Sequence, residues 1–367
     1  KRQGLMRVLV LSLLALFATG TVAVDALSGL RDQGDGYARV TPGHTLQFPR
    51  DHAAHPDYRI EWWYLTANLT DSDGRQWGLQ WTLFRQALSP QQVEAGWSSN
   101  QVWMAHAAIT TPEGHYHEQR YARGGIGQAG VSLSGEGGGF NAWMDDWEWR
   151  SSRAEMFPAK LSFSIGERDI IVLLESTGDL VTNGVDGYSQ KSAQGQASYY
   201  YSQPHIRVRG FVNQGLAKTY LTGKGWLDRE WSSQALAPNQ QGWDWFSLHL
   251  DDGHKLMVYQ LRHDDGEHWL SGNWVDPQGT AQLLDRNAIN LSATRRGEIQ
   301  TGENRSRELP LEWQLALAGQ QRSWRIRPLY DQQWMGTRIP YWEGVVLVED
   351  EQGSPSGVGY MELTGYE

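Results

Sequence analysis

The 367-residue chain contains no cysteine. That absence excludes a disulfide framework, a thiol nucleophile, cysteine-ligated zinc and a lipid-modified cysteine at a processed N-terminus. Charge is sparse as well, with 20% Asp, Glu, Lys and Arg and a formal net charge of −10. Basic residues gather nowhere beyond Arg295-Arg296 and the strip from Arg305 to Arg307, so nucleic acid is excluded as a partner. No apolar run reaches the ~18–20 residues that a membrane-spanning helix needs, and no stable insertion into a bilayer is expected. The GxSxG elbow of serine hydrolases, the HExxH zinc helix, the phosphate-binding P-loop and the dinucleotide-binding glycine fingerprint are all missing. His52 and His55, and His115 and His117, have ligand-like spacing, but without an accompanying carboxylate helix they predict no metal. No cofactor is expected.

What is present begins with a targeting pattern. Lys1, Arg2 and Arg7 flank the apolar run 8–18, and the small-residue stretch Thr21-Val22-Ala23 follows. This reads as a secretory signal peptide covering 1–26, cleaved after Ala23 or Ala26, and it predicts a periplasmic or secreted protein. The alternative is an uncleaved N-terminus that anchors the chain in the inner membrane.

Beyond it, hydrophobicity alternates with period two, as in Arg59-Ile60-Glu61-Trp62-Trp63-Tyr64-Leu65, Leu161-Ser162-Phe163-Ser164-Ile165 and Ile206-Arg207-Val208-Arg209-Gly210. Such alternation predicts half-buried strands. Asp73-Gly74, Asp252-Gly253, Asp265-Gly266 and Gln352-Gly353 supply hairpin turns between them. No long amphipathic helix is visible. An all-β protein with its antiparallel strands closed into barrels follows, since closure removes exposed edges. The block from Trp62 to Leu69 aligns without gaps on the block from Trp243 to Leu250, and each runs into an Asp/Gly turn and a second apolar strand. This predicts two related β-domains, 27–205 and 206–367, with the boundary at the Gln203-Pro204 interruption.

Tryptophan is the compositional outlier, at 19 residues beside 15 Tyr and 8 Phe. Core filling, the wall of a hydrophobic ligand cavity and a sugar-stacking surface are all open readings. Several strings, most of them Trp-bearing, point further. They are His55-Pro56-Asp57-Tyr58 with Glu61-Trp62-Trp63-Tyr64, Ala105-His106-Ala107-Ala108, Ser198-Tyr199-Tyr200-Tyr201-Ser202, Trp226-Leu227-Asp228-Arg229-Glu230-Trp231-Ser232, Gly242-Trp243-Asp244-Trp245-Phe246-Ser247-Leu248, Tyr341-Trp342-Glu343-Gly344 and Gly359-Tyr360-Met361-Glu362-Leu363-Thr364-Gly365-Tyr366. In this order they resemble the AttH and CrtC-like family, lipocalin-like proteins related to carotenoid 1,2-hydratases. The resemblance implies two tandem lipocalin-like antiparallel β-barrels with a ligand region near their junction, a long apolar ligand such as a lipid or isoprenoid-like molecule, and an ABC-type transporter as a partner. The hydratase branch carries a His where this chain has Arg229. It also has a Tyr-x-Asp element whose nearest match here is Tyr259-Gln260-Leu261. Arginine cannot donate a proton at neutral pH, so the branch's own acid is not reproduced at that position.

The residues themselves single out Asp228 and Glu230 as candidate acids and bases, with Tyr259 a third candidate catalytic residue from the resemblance. Alternation puts the two carboxylates on one face of a strand and Arg229 on the other. Either they border a cavity and one is held protonated, or they belong to an ion-pair network bridged by Arg229 or Arg262. Glu61 and Glu343 stand among aromatics as further carboxyls, Glu61 with Arg85 as a candidate counter-ion. His106 sits in an apolar strand, and Lys191 precedes the Tyr cluster as a candidate cavity cation. Together with Trp63, Tyr200, Trp226, Trp231, Trp245 and Trp342, the residues Glu61, Arg85, His106, Arg229, Arg262 and Glu343 make up the expected ligand site. The expected function is hydrophobic-ligand binding, with an acid–base hydro-lyase or isomerase and a carbohydrate-active protein as the alternatives.

Overall fold

The computed structural model describes residues 28–31, 34–91, 95–134 and 138–366; the expected signal segment lies outside them. Among the described residues the only α-helix is the single turn Ser28–Arg31. Strands organise the rest. Their turns form where the Asp/Gly signals stand: Asp71 Oδ1 accepts from the backbone N–H of Asp73 at 3.0 Å and of Arg75 at 2.9 Å. Gly74 then takes φ +80°, which a side chain would disfavour.

Two sheets result, and every ladder in them is antiparallel. Thirteen strands from Ile60–Asp71 to Ala217–Gln234 form the first sheet, and ten from Gln240–Leu250 to Pro355–Thr364 form the second; one of the two nearly closes as a barrel. The two sheets share one plan. In each, the opening strand hairpins into the next strand on one side and pairs with the sheet's closing strand on the other. The blocks aligned in the sequence are those two opening strands. Sheet membership changes between Gln234 and Gln240, so the boundary expected at 205/206 is corrected to 235–239. Pro204 does disturb the ladder, which slips register between Gln203 and Ile206, but the strand Ala197–Gln214 runs through it.

Each sheet wraps its own apolar interior. Trp63, Leu65, Trp81, Trp103, Trp147, Trp149 and Leu227 fill the first, and Phe246, Leu248, Trp313, Trp324, Trp342 and Leu363 fill the second. A third apolar cluster lies between the sheets, where Tyr64, Tyr200 and Trp226 of the first meet Trp245, Met257, Tyr259, Leu261, Val345 and Tyr360 of the second. The sheets approach closely there. A Cβ on Gly78 would clash with Val345 Cγ2, and Asn68 Nδ2 donates across the junction to the Gly359 carbonyl at 2.8 Å.

Candidate active site at the junction of the sheets

Alternation along the opening and closing strands decides which residues reach the junction. In the first sheet Trp62 pairs with Glu230 and Tyr64 with Asp228, while Glu61, Trp63, Arg229 and Trp231 take the opposite parity. The even set borders a cavity of about 220 Å³ between the sheets, whose wall is mainly aromatic and aliphatic and takes in residues of both. That is far more room than one water needs.

Of the expected site residues, Asp228, Glu230, Tyr259, Glu61, Arg85, His106, Tyr200 and Trp245 line this cavity. Trp63, Arg229, Trp231, Trp342, Trp226, Arg262 and Glu343 do not, which corrects their expected place in a ligand wall. Trp63 and Trp342 point into the two sheet interiors. Trp231 packs with Tyr199 and Tyr201 on the far face of its strand, and Trp226 packs in the junction behind the wall, its Nε1 donating to Asp228 Oδ1 at 2.8 Å. The structure also brings in residues not assigned to the site from the sequence, Glu362, Tyr64, Trp62, Trp243, Phe84, Met104 and Tyr341, and Lys191 lines the cavity with them. Glu362 had a readable signal, since Tyr360, Glu362 and Thr364 alternate with Met361 and Leu363 and put a carboxyl on the face opposite the core.

The arginines divide the carboxylates. Glu61 is fully buried and ion-paired with both Arg85 and Arg229. His55 also donates its backbone N–H to Glu61 at 2.8 Å. Burial would raise this carboxyl, but the two guanidinium groups outweigh it and hold Glu61 well below the usual range. Arg229 spans Ala53 O at 2.7 Å and lies over the Trp63 ring at 3.8 Å. Arg262 pairs with Asp244 at 2.6 Å. The ion-pair network is real, then, but it bypasses Asp228. Glu230 has the Lys191 ammonium at 2.9 Å and a hydroxyl bond from Ser198. Burial would lower the Lys191 ammonium, yet the Glu230 carboxylate and Tyr259 raise it.

Asp228 receives only neutral donors: Ser202 Oγ at 2.5 Å, Tyr200 OH at 2.7 Å and Trp226 Nε1. Burial lifts its carboxyl to about 7 despite those three hydrogen bonds. Glu362 likewise accepts from Trp243 Nε1 at 2.8 Å and Thr364 Oγ1 at 2.7 Å. Burial, helped by the charges of Asp228 and Glu230, lifts it to about 7 too. Among the described residues neither has a cationic partner. Behind the wall Glu343 accepts from Tyr64 OH at 2.5 Å, and burial together with the charge of Glu362 holds it well above its ordinary value. His52 is bonded to Tyr201 OH at 2.7 Å and Glu155 at 3.0 Å, and His115 to Thr110 at 2.9 Å. The spaced histidines are thus engaged within the protein, and no group of metal-competent side chains forms among the described residues.

Comparison with known proteins agrees with the fold. A crystal structure of an AttH protein from Nitrosomonas europaea is 33% identical, with a TM-score of 0.77, over 90% of this chain and 100% of that one. Kievitone hydratase from Nectria haematococca shares the fold at 13% identity, with a TM-score of 0.65, over 90% of this chain and 96% of that one. No curated sequence matches. The AttH-like family profile matches residues 39–366, nearly the whole described chain, and the protein therefore belongs to the AttH-like family.

Proposed function

We propose that this protein is an acid–base enzyme of the hydro-lyase or isomerase type, acting on a largely apolar, unsaturated molecule held between the two sheets. One observation carries the reading: Asp228 is a buried and Glu362 a half-buried carboxyl in a single aromatic cavity, and among the described residues neither is paired with a cation. Burying such groups is costly unless they stay protonated or do work. A protonated carboxyl in a dry site is the acid needed to transfer a proton to a carbon–carbon double bond. The electron pair of the double bond takes the proton from Asp228 or Glu362 and leaves a cationic carbon, which the faces of Trp62, Trp243 and Trp245 stabilise. A water then adds to that carbon, and its spare proton passes to a carboxylate, for which Glu230 beside Lys191 is placed. Loss of a neighbouring proton instead gives an isomer.

A carrier for the same ligand is the second reading, favoured by the aromatic wall alone, but it leaves the uncompensated carboxyls without a use. A carbohydrate site is disfavoured, because Trp62, Trp243 and Trp245 pack into the junction cluster rather than presenting flat exposed faces. The fold also carries a hydratase, so the scaffold accommodates this class of chemistry. The basic start and short apolar run support export, so that the ligand would be met outside the cytoplasm.

The test is to incubate purified protein, in deuterated buffer, with an apolar extract of the cells that make it, and to follow the components by mass spectrometry. A component that gains one water, or takes up one carbon-bound deuterium, with wild type but not with Asp228→Asn or Glu362→Gln is the expected result. Retention of a component without conversion supports the carrier, and neither retention nor conversion overturns both readings.

A further inference from the structure

His106 is a cavity-lining side chain that the proposed acid–base chemistry does not use. Its strand Gln101–Thr111 is apolar on the core side, with Ala105 and Ala107 wholly buried in the first interior. His106 takes the other parity and faces the junction beside Phe84, Met104 and Tyr341. The ring is 1% exposed and stays neutral at physiological pH, burial pushing it down to about 3. Its Nδ1 lies 2.8 Å from Tyr341 OH, and the two rings stack with centroids 5.6 Å apart. Nε2 is buried and has no hydrogen-bond partner among the described residues. A neutral imidazole offers one donor and one acceptor, and leaving either buried and unmatched is unfavourable. Phe84 packs edge-on against the ring at 5.3 Å, yet no described residue answers Nε2.

We propose that the ligand answers it: the molecule bound in the junction cavity carries an alcohol or phenol hydroxyl that hydrogen-bonds to His106 Nε2. A hydroxyl fits because it both donates and accepts. It satisfies Nε2 whether Tyr341 donates to Nδ1 or accepts from it, whereas a carbonyl or an ether would fit only one tautomer. His106 is therefore a specificity-determining residue that fixes which end of an otherwise apolar ligand lies beside Phe84 and Met104. This inference rests on the reading of the junction as an apolar ligand cavity and adds the ligand's polar group to it.

Farnesol and its hydrocarbon counterpart farnesene serve as probes, titrated against the full protein by quenching of the cavity tryptophans. His106→Phe removes Nε2 and keeps the ring. Comparing each probe between wild type and variant cancels the difference in hydrophobicity between alcohol and hydrocarbon. The expected result is that His106→Phe weakens farnesol by about 3- to 12-fold, the worth of one net hydrogen bond, and leaves farnesene within about twofold. His106→Gln, whose amide reaches the Nε2 position, restores farnesol binding. Retained farnesene binding shows that both variants are folded. Equal effects of His106→Phe on the two probes, or no effect on either, overturn the hydroxyl assignment while leaving the cavity reading intact. Failure of wild type to bind either probe overturns the cavity reading itself, and the assignment with it.

Discussion

Asp228 and Glu362 occupy matching places in the two halves of the molecule: Asp228 is the cross-strand partner of Tyr64, and Glu362 of Trp245. Tyr64 and Trp245 are themselves matched positions of the sequence repeat, and their rings meet edge to face with centroids 5.2 Å apart. Packing two similar sheets by their outer faces has thus brought two equivalent carboxyls into one enclosure, on a surface that in a lone sheet would face water. Glu362 feels the charges of Asp228 and Glu230 as well as burial, and Asp228 feels burial and the charge of Glu230.

The pair makes stability depend on pH in a stated direction. Glu362 has a pKa of about 7 in the folded state against 4.5 ordinarily, and Asp228 about 7 against 3.8. Between the lower and upper values the folded state holds protons that the unfolded chain has released, so stability falls as pH rises towards 7 and levels off above it. Glu362→Gln keeps the acceptor for Trp243 and Thr364 but cannot ionise. The variant should therefore be the more stable protein at pH 8 by about 2–3 kcal/mol, with the advantage vanishing near pH 4.5. Urea denaturation across pH 4.5–8 measures this, and parallel wild-type and variant curves would remove the shifted carboxyl.

Glu61 has the opposite sign. Two guanidinium groups hold it ionised, so its contribution is present above about pH 4.5 and is lost as pH falls towards its depressed value. Glu61→Gln leaves Arg85 and Arg229 buried against a neutral amide and should cost about 3–5 kcal/mol. The same assay reports it at pH 7. A loss under about 1 kcal/mol would mean that the triad is not what fastens residues 53–61 to the first sheet.

Most of the fold was legible because it rests on local rules. Alternation in Ile60–Asp71 and the Asp/Gly turns depend on neighbours in sequence, and the strand assignments hold. The site was legible to the extent that alternation decides it: Asp228 and Glu230 face the cavity while Arg229 faces away. The misplacements came from distance. Nothing near Glu61 in sequence shows that Arg229, 168 residues later, would neutralise it and leave Asp228 without a cation. Trp63 and Trp62 are adjacent, yet one fills a core and the other a cavity wall, and composition cannot separate them. Pro204 looked like a boundary because proline breaks a ladder, but the strand absorbs it with a register slip.

Export is open to direct measurement. Fractionation of cells should recover the protein in the periplasm or the medium with a mature N-terminus between residues 24 and 27, as the basic start and small-residue stretch predict. An intact N-terminus recovered in the inner membrane would show the anchored form.

The Lys191–Glu230 pair separates structural from chemical roles. Lys191 sits 4.3 Å from the Tyr259 ring centroid and 4.9 Å from that of Tyr200, and 2.9 Å from the carboxylate, with both charged side chains nearly buried. Lys191→Met strands a buried carboxylate and Glu230→Gln strands a buried ammonium, so each alone should cost about 3 kcal/mol or more. The double variant removes both charges together, and a buried pair replaced in this way is often neutral for stability. Its melting temperature should return to within a few degrees of wild type. Turnover then decides the role. If Glu230 takes the proton released by the adding water, the double variant is folded, retains ligand and adds no water. A double variant that is both stable and active would leave the pair a packing element and move the proton acceptor to Asp228 or Glu362.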